Sequence, residues 1–302
     1  MNSAINKLKQ HWEQNLVQDR QKFYYQPQPS GSRLETDYSY VPHGTRYQRL
    51  NLYYPEKAGI GLLPTIIDIH GGGWMYGDCN LNNNYCRYLA SQGFAVMAMS
   101  YRLFPEVGIK AMVQDIFSSL HWLAKYGRGR GFDLKRVLLT GDSAGGHLAA
   151  LVMAIQQQPK LQEIYQVKSL DFTFNLVAIT CGVVEPQKLK QVSDPWFQEV
   201  AEDYIQLFAQ DQVPYNFSEI IGDGTVMPKV MVIGGGQDRF ISQTDFLIEL
   251  LQKNHYHFIT KLWTKDQGTH LGHVFNVSNW EWPESMETNQ AMLKEFKVTY
   301  EN

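Results

Sequence analysis

Arg136-Val137-Leu138-Leu139-Thr140-Gly141-Asp142-Ser143-Ala144-Gly145-Gly146-His147-Leu148-Ala149-Ala150 is the stretch that decides how this chain folds. A short apolar strand runs straight into a glycine-flanked serine, and a helix rich in small residues starts directly after it. Sterics dictate what happens at so tight a join. Ser143 must take a strained backbone conformation, and Gly141 and Gly145 leave room where a Cβ would collide. The hydroxyl is thereby pushed out at the carboxyl edge of the strand. Gly-x-Ser-x-Gly alone would arise by chance in about one chain in ten of this length and composition. Its position between a strand and a helix gives it weight.

Upstream, the apolar run Ile66 to Ile69 ends in His70-Gly71-Gly72-Gly73-Trp74. Consecutive glycines after a strand let the backbone curl until two N–H groups converge on one point, which is what a developing oxyanion requires. Gly72, Gly73 and Ala144 are the expected donors. A phosphate cradle fits less well, because neither Gly-x-Gly-x-x-Gly nor a following Gly-Lys-Ser/Thr is present. His70 is expected to brace the turn by hydrogen bonding rather than to act as a base.

A serine hydroxyl near neutral pH is a weak nucleophile, so it needs a histidine base and a carboxylate to orient that base. After an elbow of this kind the acid and then the histidine follow in chain order. The strand Lys229 to Ile233 leads into Gly234-Gly235-Gly236-Gln237-Asp238, which places Asp238 just past a carboxyl end. Asp238 is the expected acid. Asp223, between two glycines, reads as a turn former and Asp245, inside a helix, as a surface charge. Two histidines compete in Gly268-Thr269-His270-Leu271-Gly272-His273-Val274-Phe275. His273 is preferred over His270 because an apolar pair follows it and can anchor the loop, with flexible Gly272 behind. His255 and His257 flank or enter a strand and read as structural or exposed.

Outward from these motifs, strands and helices alternate. Strands are expected over 47–54, 64–69, 94–99, 136–140, 173–180, 229–233 and 258–264, and helices over 111–126, 145–156, 242–253 and 283–296. The pattern predicts an α/β architecture, a mostly parallel central sheet with helices on both faces. Residues 1–45 stand apart as an N-terminal arm: a helix over 3–20, with Ile5, Leu8, Trp12 and Leu16 on one face, and then a polar stretch to about residue 35. Residues 46–302 form the remaining domain. Within it, 184–222 interrupts the alternation with Trp196, Phe197, Val200, Tyr204, Ile205 and Phe208 at helical spacing. That insertion is expected to form a small cap over the strand ends; the alternative is a long crossover helix packed on the sheet.

At 302 residues, 44% hydrophobic and only 19% charged, the chain can bury a sizeable core, which excludes a disordered or disulfide-stapled class. A net charge of -3 suggests no nucleic-acid partner, and no apolar run is long enough for a membrane span. Cys79, Cys86 and Cys181 form neither an even set nor a Cys-x-x-Cys pair, so they read as reduced core thiols. With no secretory signal at the start, a cytoplasmic protein is expected. No His-Glu-x-x-His or comparable ligand set is present, so neither a metal nor another cofactor is called for. A homodimer is left open.

The chain resembles the hormone-sensitive lipase-like carboxylesterases of the α/β-hydrolase fold. The likeness rests on His70-Gly71-Gly72-Gly73-Trp74, Tyr101-Arg102-Leu103-Phe104-Pro105-Glu106, Gly141-Asp142-Ser143-Ala144-Gly145-Gly146 and His273-Val274-Phe275, four blocks in family order across residues 45–300. It implies a Ser143-His273-Asp238 triad, an oxyanion hole from the N–H groups of Gly72, Gly73 and Ala144, and a small-molecule acyl ester as substrate. Trp74, Tyr76 and Phe104, with Met75, are expected at the acyl pocket. Tyr101, Arg102 and Glu106 would hold the neighbouring loop. Two departures stand out: Ser100 replaces the family's usual Asp, and Gly-Gly-Gly-Gln-Asp replaces its usual Asp-Pro-Leu-x-Asp run. Short-chain ester hydrolysis is the expected activity. An amidase such as an arylformamidase and a non-catalytic small-molecule receptor are the alternatives; the former commonly carries Tyr in place of the third glycine.

Overall fold

The computed structural model describes residues 3–57, 59, 61–222 and 225–301. Its strands are β1 (Ser32–Ser39), β2 (Arg49–Pro55), β3 (Leu63–Ile69), β4 (Ala95–Met99), β5 (Phe132–Asp142), β6 (Leu176–Thr180), β7 (Lys229–Gly235) and β8 (Phe258–Trp263). They form one sheet in the order β1-β2-β4-β3-β5-β6-β7-β8. β1, β2 and β4 pair antiparallel, and all pairs from β4 through β8 are parallel. The helices are α1 (Ser3–Tyr25), α2 (Asn83–Ser91), α3 (Ile109–Tyr126), α4 (Ala144–Gln157), α5 (Pro159–Tyr165), α6 (Pro195–Ala209), α7 (Phe217–Ile220), α8 (Ile241–Lys253), α9 (Phe275–Ser278) and α10 (Pro283–Glu301).

The central strands bury both faces, which is why their sequences are continuous apolar runs. Ile67, Ile69, Met97 and Leu139 point to the side covered by α3 and α4. Ile66, Val96 and Leu138 point to the other, beneath α2 and α10. Four elements go beyond the sequence reading: the short helices α5 and α9, and also β1 and α2. β1 occupies a stretch expected to be mostly a polar arm; it is a half-exposed edge strand, irregular between Glu35 and Tyr38, and its pairing with β2 supplies what its composition does not. α2 begins in an Asn-rich segment and buries Tyr85, Cys86, Tyr88 and Leu89.

The inserted segment is a 3-10 turn (Pro186–Gln191) followed by α6 and α7. α6 is capped by Asp194, whose carboxylate accepts from the N–H groups of Trp196 and Phe197. Its buried face meets the loops that leave β3 and β4: Phe208 lies 4.9 Å from Trp74 and 5.1 Å from Phe104, ring to ring. That sets α6 over the carboxyl ends of the strands. α1 lies beside it, with Leu8 and Trp12 buried. Among the described residues, no helix is long and apolar enough to cross a membrane. Asp223 lies outside the described residues.

β3 and β5 are parallel neighbours with Ile69 opposite Gly141, so the turns that leave them meet backbone to backbone. A Cβ at Gly145 would overlap the carbonyl oxygens of Ile69 and His70. Gly145→Ala is therefore expected to destabilise the fold by at least the ~1–3 kcal/mol usual for overpacking. Thermal unfolding checks this, and an unchanged melting temperature would contradict the contact.

Candidate active site

β5 delivers Ser143 to the first turn of α4. The serine sits at φ 53° and ψ -117°, and its positive φ is the strained conformation that the flanking glycines permit. The Ser143 N–H donates to the Thr180 carbonyl, which ties the elbow to β6. Ala144 is the first residue of α4, so its N–H has no partner within the helix.

His273 Nε2 lies 2.8 Å from Ser143 Oγ, and His273 Nδ1 lies 2.8 Å from Asp238 Oδ1. An ionised carboxylate can only accept, so Nδ1 carries the proton and Nε2 is left to accept from the serine hydroxyl. Burial would raise the Asp238 carboxyl. The facing imidazole, with hydrogen bonds from it and from the Phe240 N–H, outweighs burial and holds it below its ordinary value. The structure thus brings His273 rather than His270 to Ser143. His270 is half exposed, 3.5 Å from Glu284 and edge-on to Trp282. His255 and His257 are exposed.

Gly72 and Gly73 line the same cavity as Ser143 and His273, with Trp74 and Tyr76 in its wall. Its volume is about 240 Å³. Phe104, expected at this pocket, lies outside it: the ring is fully buried between the turn and α6, where it props up Trp74 through Phe208. Trp74 is itself almost wholly buried, and its indole N–H donates to His147 Nδ1. His147 Nε2 in turn meets the Tyr215 carbonyl at 2.6 Å. Burial pushes His147 down to about 4, so it stays neutral and can both accept and donate.

His70 stacks on Tyr101, and its Nδ1 donates to the Gly71 carbonyl at 2.8 Å. Tyr101 donates to the His70 carbonyl. Arg102 forms a bidentate pair with buried Asp115, and exposed Glu106 pairs with Lys9 of α1.

Asn82, Asp68 and Cys181 are three contributors that were not legible in the sequence. Asn82, just before α2, donates through Nδ2 to Asp142 Oδ1 and Asp68 Oδ2, and Asp142 Oδ1 also accepts from the Gly71 N–H. Among the described residues, no cationic side chain lies within hydrogen-bond reach of these two buried carboxylates. Burial and then the Asp142 charge push Asp68 up to about 8, and burial raises Asp142 to about 6. Cys181 is the third: its sulfur accepts from the Val274 N–H beside His273. Cys181, Asp238 and His273 bring ligand-type atoms within 4.8 Å of one another. This is a poor metal site, because His273 and Asp238 are committed to each other and burial drives the Cys181 thiol well above its usual value, away from the thiolate.

Residues 66–267 match the family described as the alpha/beta hydrolase fold. The chain belongs to that family, in its hormone-sensitive lipase and carboxylesterase branch, a family of carboxylic ester hydrolases. Among solved structures it is similar to Esterase B from Lactobacillus rhamnosis, at 47% identity over 98% of this chain and 95% of that one, with a TM-score of 0.96. The same esterase has been solved inhibited by a C4-C4 tributyrin phosphonate. Probable carboxylesterase 7 of Arabidopsis thaliana is 26% identical over 81% of this chain and 80% of its own length. Esterase LipI of Mycobacterium tuberculosis is 39% identical over 37% of this chain, a match that spans about a third of that protein (34%).

The buried carboxylates make stability pH-dependent. Between its ordinary value of 3.8 and about 8, Asp68 keeps in the folded state a proton that the unfolded chain has released, so its contribution weakens as pH rises through that window. Asp68→Asn keeps an acceptor for Asn82 without the charge. The variant is expected to match the parent near pH 4 and to melt a few degrees higher at pH 8–9. An equal melting temperature at both pH values would show that Asp68 ionises freely.

Proposed function

We propose that the chain is a serine carboxylesterase that hydrolyses short-chain acyl esters through an acyl-enzyme. The observation that carries this reading is the unbroken contact Ser143 Oγ to His273 Nε2 to Asp238 Oδ1, each step 2.8 Å, at the edge of a cavity shared with Gly72 and Gly73. His273 Nε2 takes the hydroxyl proton as Ser143 Oγ attacks the ester carbonyl. The N–H groups of Gly72, Gly73 and Ala144 receive the charge that develops on the carbonyl oxygen. Collapse of the tetrahedral intermediate expels the alcohol, whose oxygen takes the proton from His273. Water, deprotonated by the same nitrogen, then attacks the acyl-serine, and the carboxylic acid leaves with Ser143 restored. Asp238 holds the ring in the required tautomer and stabilises the imidazolium.

The cavity supports a short acyl chain. Its 240 Å³ lies below the ~300–1,000 Å³ of drug-sized pockets, and apolar Val183, Leu189 and Phe240 line it. The tributyrin phosphonate that inhibits the Lactobacillus rhamnosis enzyme carries four-carbon acyl groups, in keeping with this reading. An arylformamidase-like site fits less well, since the space a side chain at position 73 would need is filled by the Trp12 ring. A receptor without catalysis would have no use for the hydrogen-bonded Ser-His-Asp series.

Hydrolysis of p-nitrophenyl acetate, butyrate and octanoate tests the proposal. Butyrate is expected to exceed octanoate, and N-formylkynurenine to be a poor substrate. Ser143→Ala and His273→Gln should each lower kcat by about 10⁴-fold or more, because the three groups act as a unit. His270→Gln should stay within about twofold of the parent, as its imidazole faces Glu284 instead of the serine. Full activity in Ser143→Ala would place the nucleophile elsewhere.

A further inference from the structure

Each carbonyl of the glycine turn lies in one peptide plane with the N–H of the next residue, so Gly71 O turns with the Gly72 N–H, Gly72 O with the Gly73 N–H and Gly73 O with the Trp74 N–H. Gly71 O accepts from His70 Nδ1. Gly72 O accepts from the N–H groups of Met75 and Tyr76, both at 3.0 Å. Gly71 O also accepts, at 3.4 Å, from the hydroxyl of Tyr101 in the loop after β4. Gly73 O is held differently: it accepts from the Tyr204 hydroxyl at 3.2 Å, and Tyr204 belongs to α6. The same hydroxyl accepts from the indole N–H of Trp12, on α1. Tyr204 and Trp12 are buried, so this series runs where water competes little. Burial keeps the phenol protonated, and so able to donate, at any working pH.

Gly72 and Gly73 have φ values of +100° and +56°, in the region that glycine visits with little restriction. A flexible turn would spend much of its time with the amides misaligned, and alignment before the reaction is what makes such donors effective. The Trp12 ring also lies against Gly73, where a Cβ would overlap it, and stacks on Tyr76 at 5.2 Å between centroids.

We propose that Trp12 and Tyr204 are positioning residues for the reaction: the series Trp12 N–H to Tyr204 O–H to the Gly73 carbonyl fixes the Gly73–Trp74 peptide that directly follows the oxyanion donors, so that docking of α1 and α6 holds the end of the turn and, through Gly73, the backbone that carries its N–H. The proposal rests on the ester-hydrolase reading above. It assigns to two elements outside the central sheet a direct part in kcat, beyond covering the pocket. The hydroxyl touches backbone, not substrate, so its loss should leave ground-state binding almost untouched and weaken the hold on the charged intermediate.

The test uses the full chain and p-nitrophenyl butyrate, with Ser143→Ala as the control that identifies the nucleophile. Tyr204→Phe keeps the ring and removes both hydrogen bonds; it should lower kcat by about 10-fold, the scale of one hydrogen bond felt mainly in the transition state, with KM within about twofold. Trp12→Phe should lower kcat less. The double variant should be closer to Tyr204→Phe than to the product of the two effects, because the indole acts through the phenol. An aryl trifluoromethyl ketone, whose serine adduct carries a real oxyanion, should lose affinity in Tyr204→Phe by the same factor as kcat.

A Tyr204→Phe enzyme with parental kcat and ketone affinity overturns the proposal while leaving the esterase reading intact. So does a variant in which KM, ketone affinity and melting temperature all worsen together, the mark of a loosened cap. If Tyr204→Phe does not fold, Trp12→Phe decides by the same split between kcat and KM. A parent chain inert toward every ester, with Ser143 unlabelled by fluorophosphonate, overturns the esterase reading itself.

Discussion

The site depends on a backbone-to-backbone contact between two turns that leave adjacent parallel strands. β3 ends in the glycine turn and β5 ends in the serine elbow, and their register, Ile69 opposite Gly141, brings the two turns together before any side chain is considered. Only glycine at 145 allows that approach, since any Cβ there would enter the carbonyls of Ile69 and His70. From this contact follow the placing of the Ser143 hydroxyl at the cavity that Gly72 and Gly73 also line, and the buried junction of Gly71, Asp142 and Asn82. Asp238 and His273 then arrive from the end of β7 and the loop after β8, on the same edge of the sheet.

The elements outside that sheet do more than close it over. α6 and α1 reach the glycine turn through Tyr204 and Trp12, and Tyr76 reaches back to Asp19 of α1 through its hydroxyl. Burial raises the Asp19 carboxyl and lowers the Lys22 ammonium beside it, so the rim of the cavity carries two charges that are costly to bury and are stabilised by each other. The N-terminal helix is thereby fastened to the reactive turn at two points.

Much of this was legible in the sequence because the decisive signals are local. Ser143 and the glycine turn announce themselves by spacing, since a tight join between strand and helix has few residue solutions. Asp238 and His273 follow from where strands end, even though Gly234-Gly235-Gly236-Gln237 departs from the usual family run. The central strands are apolar enough to be read directly. β1 was not, because its residues are polar or half exposed and gain their strand character only from β2. The contributions of Asn82, Cys181, Trp12 and Tyr204 join positions far apart in the chain, and no local pattern encodes such pairings. Phe104 shows the converse: it sits in a recognisable block, yet packing against Phe208 takes it off the cavity wall and into the core.

The most direct test of the account is a crystal structure of the protein after reaction with a butyl phosphonate ester. The account predicts a covalent bond from phosphorus to Ser143 Oγ, with the phosphoryl oxygen ~2.7–3.1 Å from the amide nitrogens of Gly72, Gly73 and Ala144, and the butyl chain inside the cavity lined by Val183 and Phe240. An adduct on another residue, or one whose phosphoryl oxygen faces solvent away from the glycine turn, would contradict it.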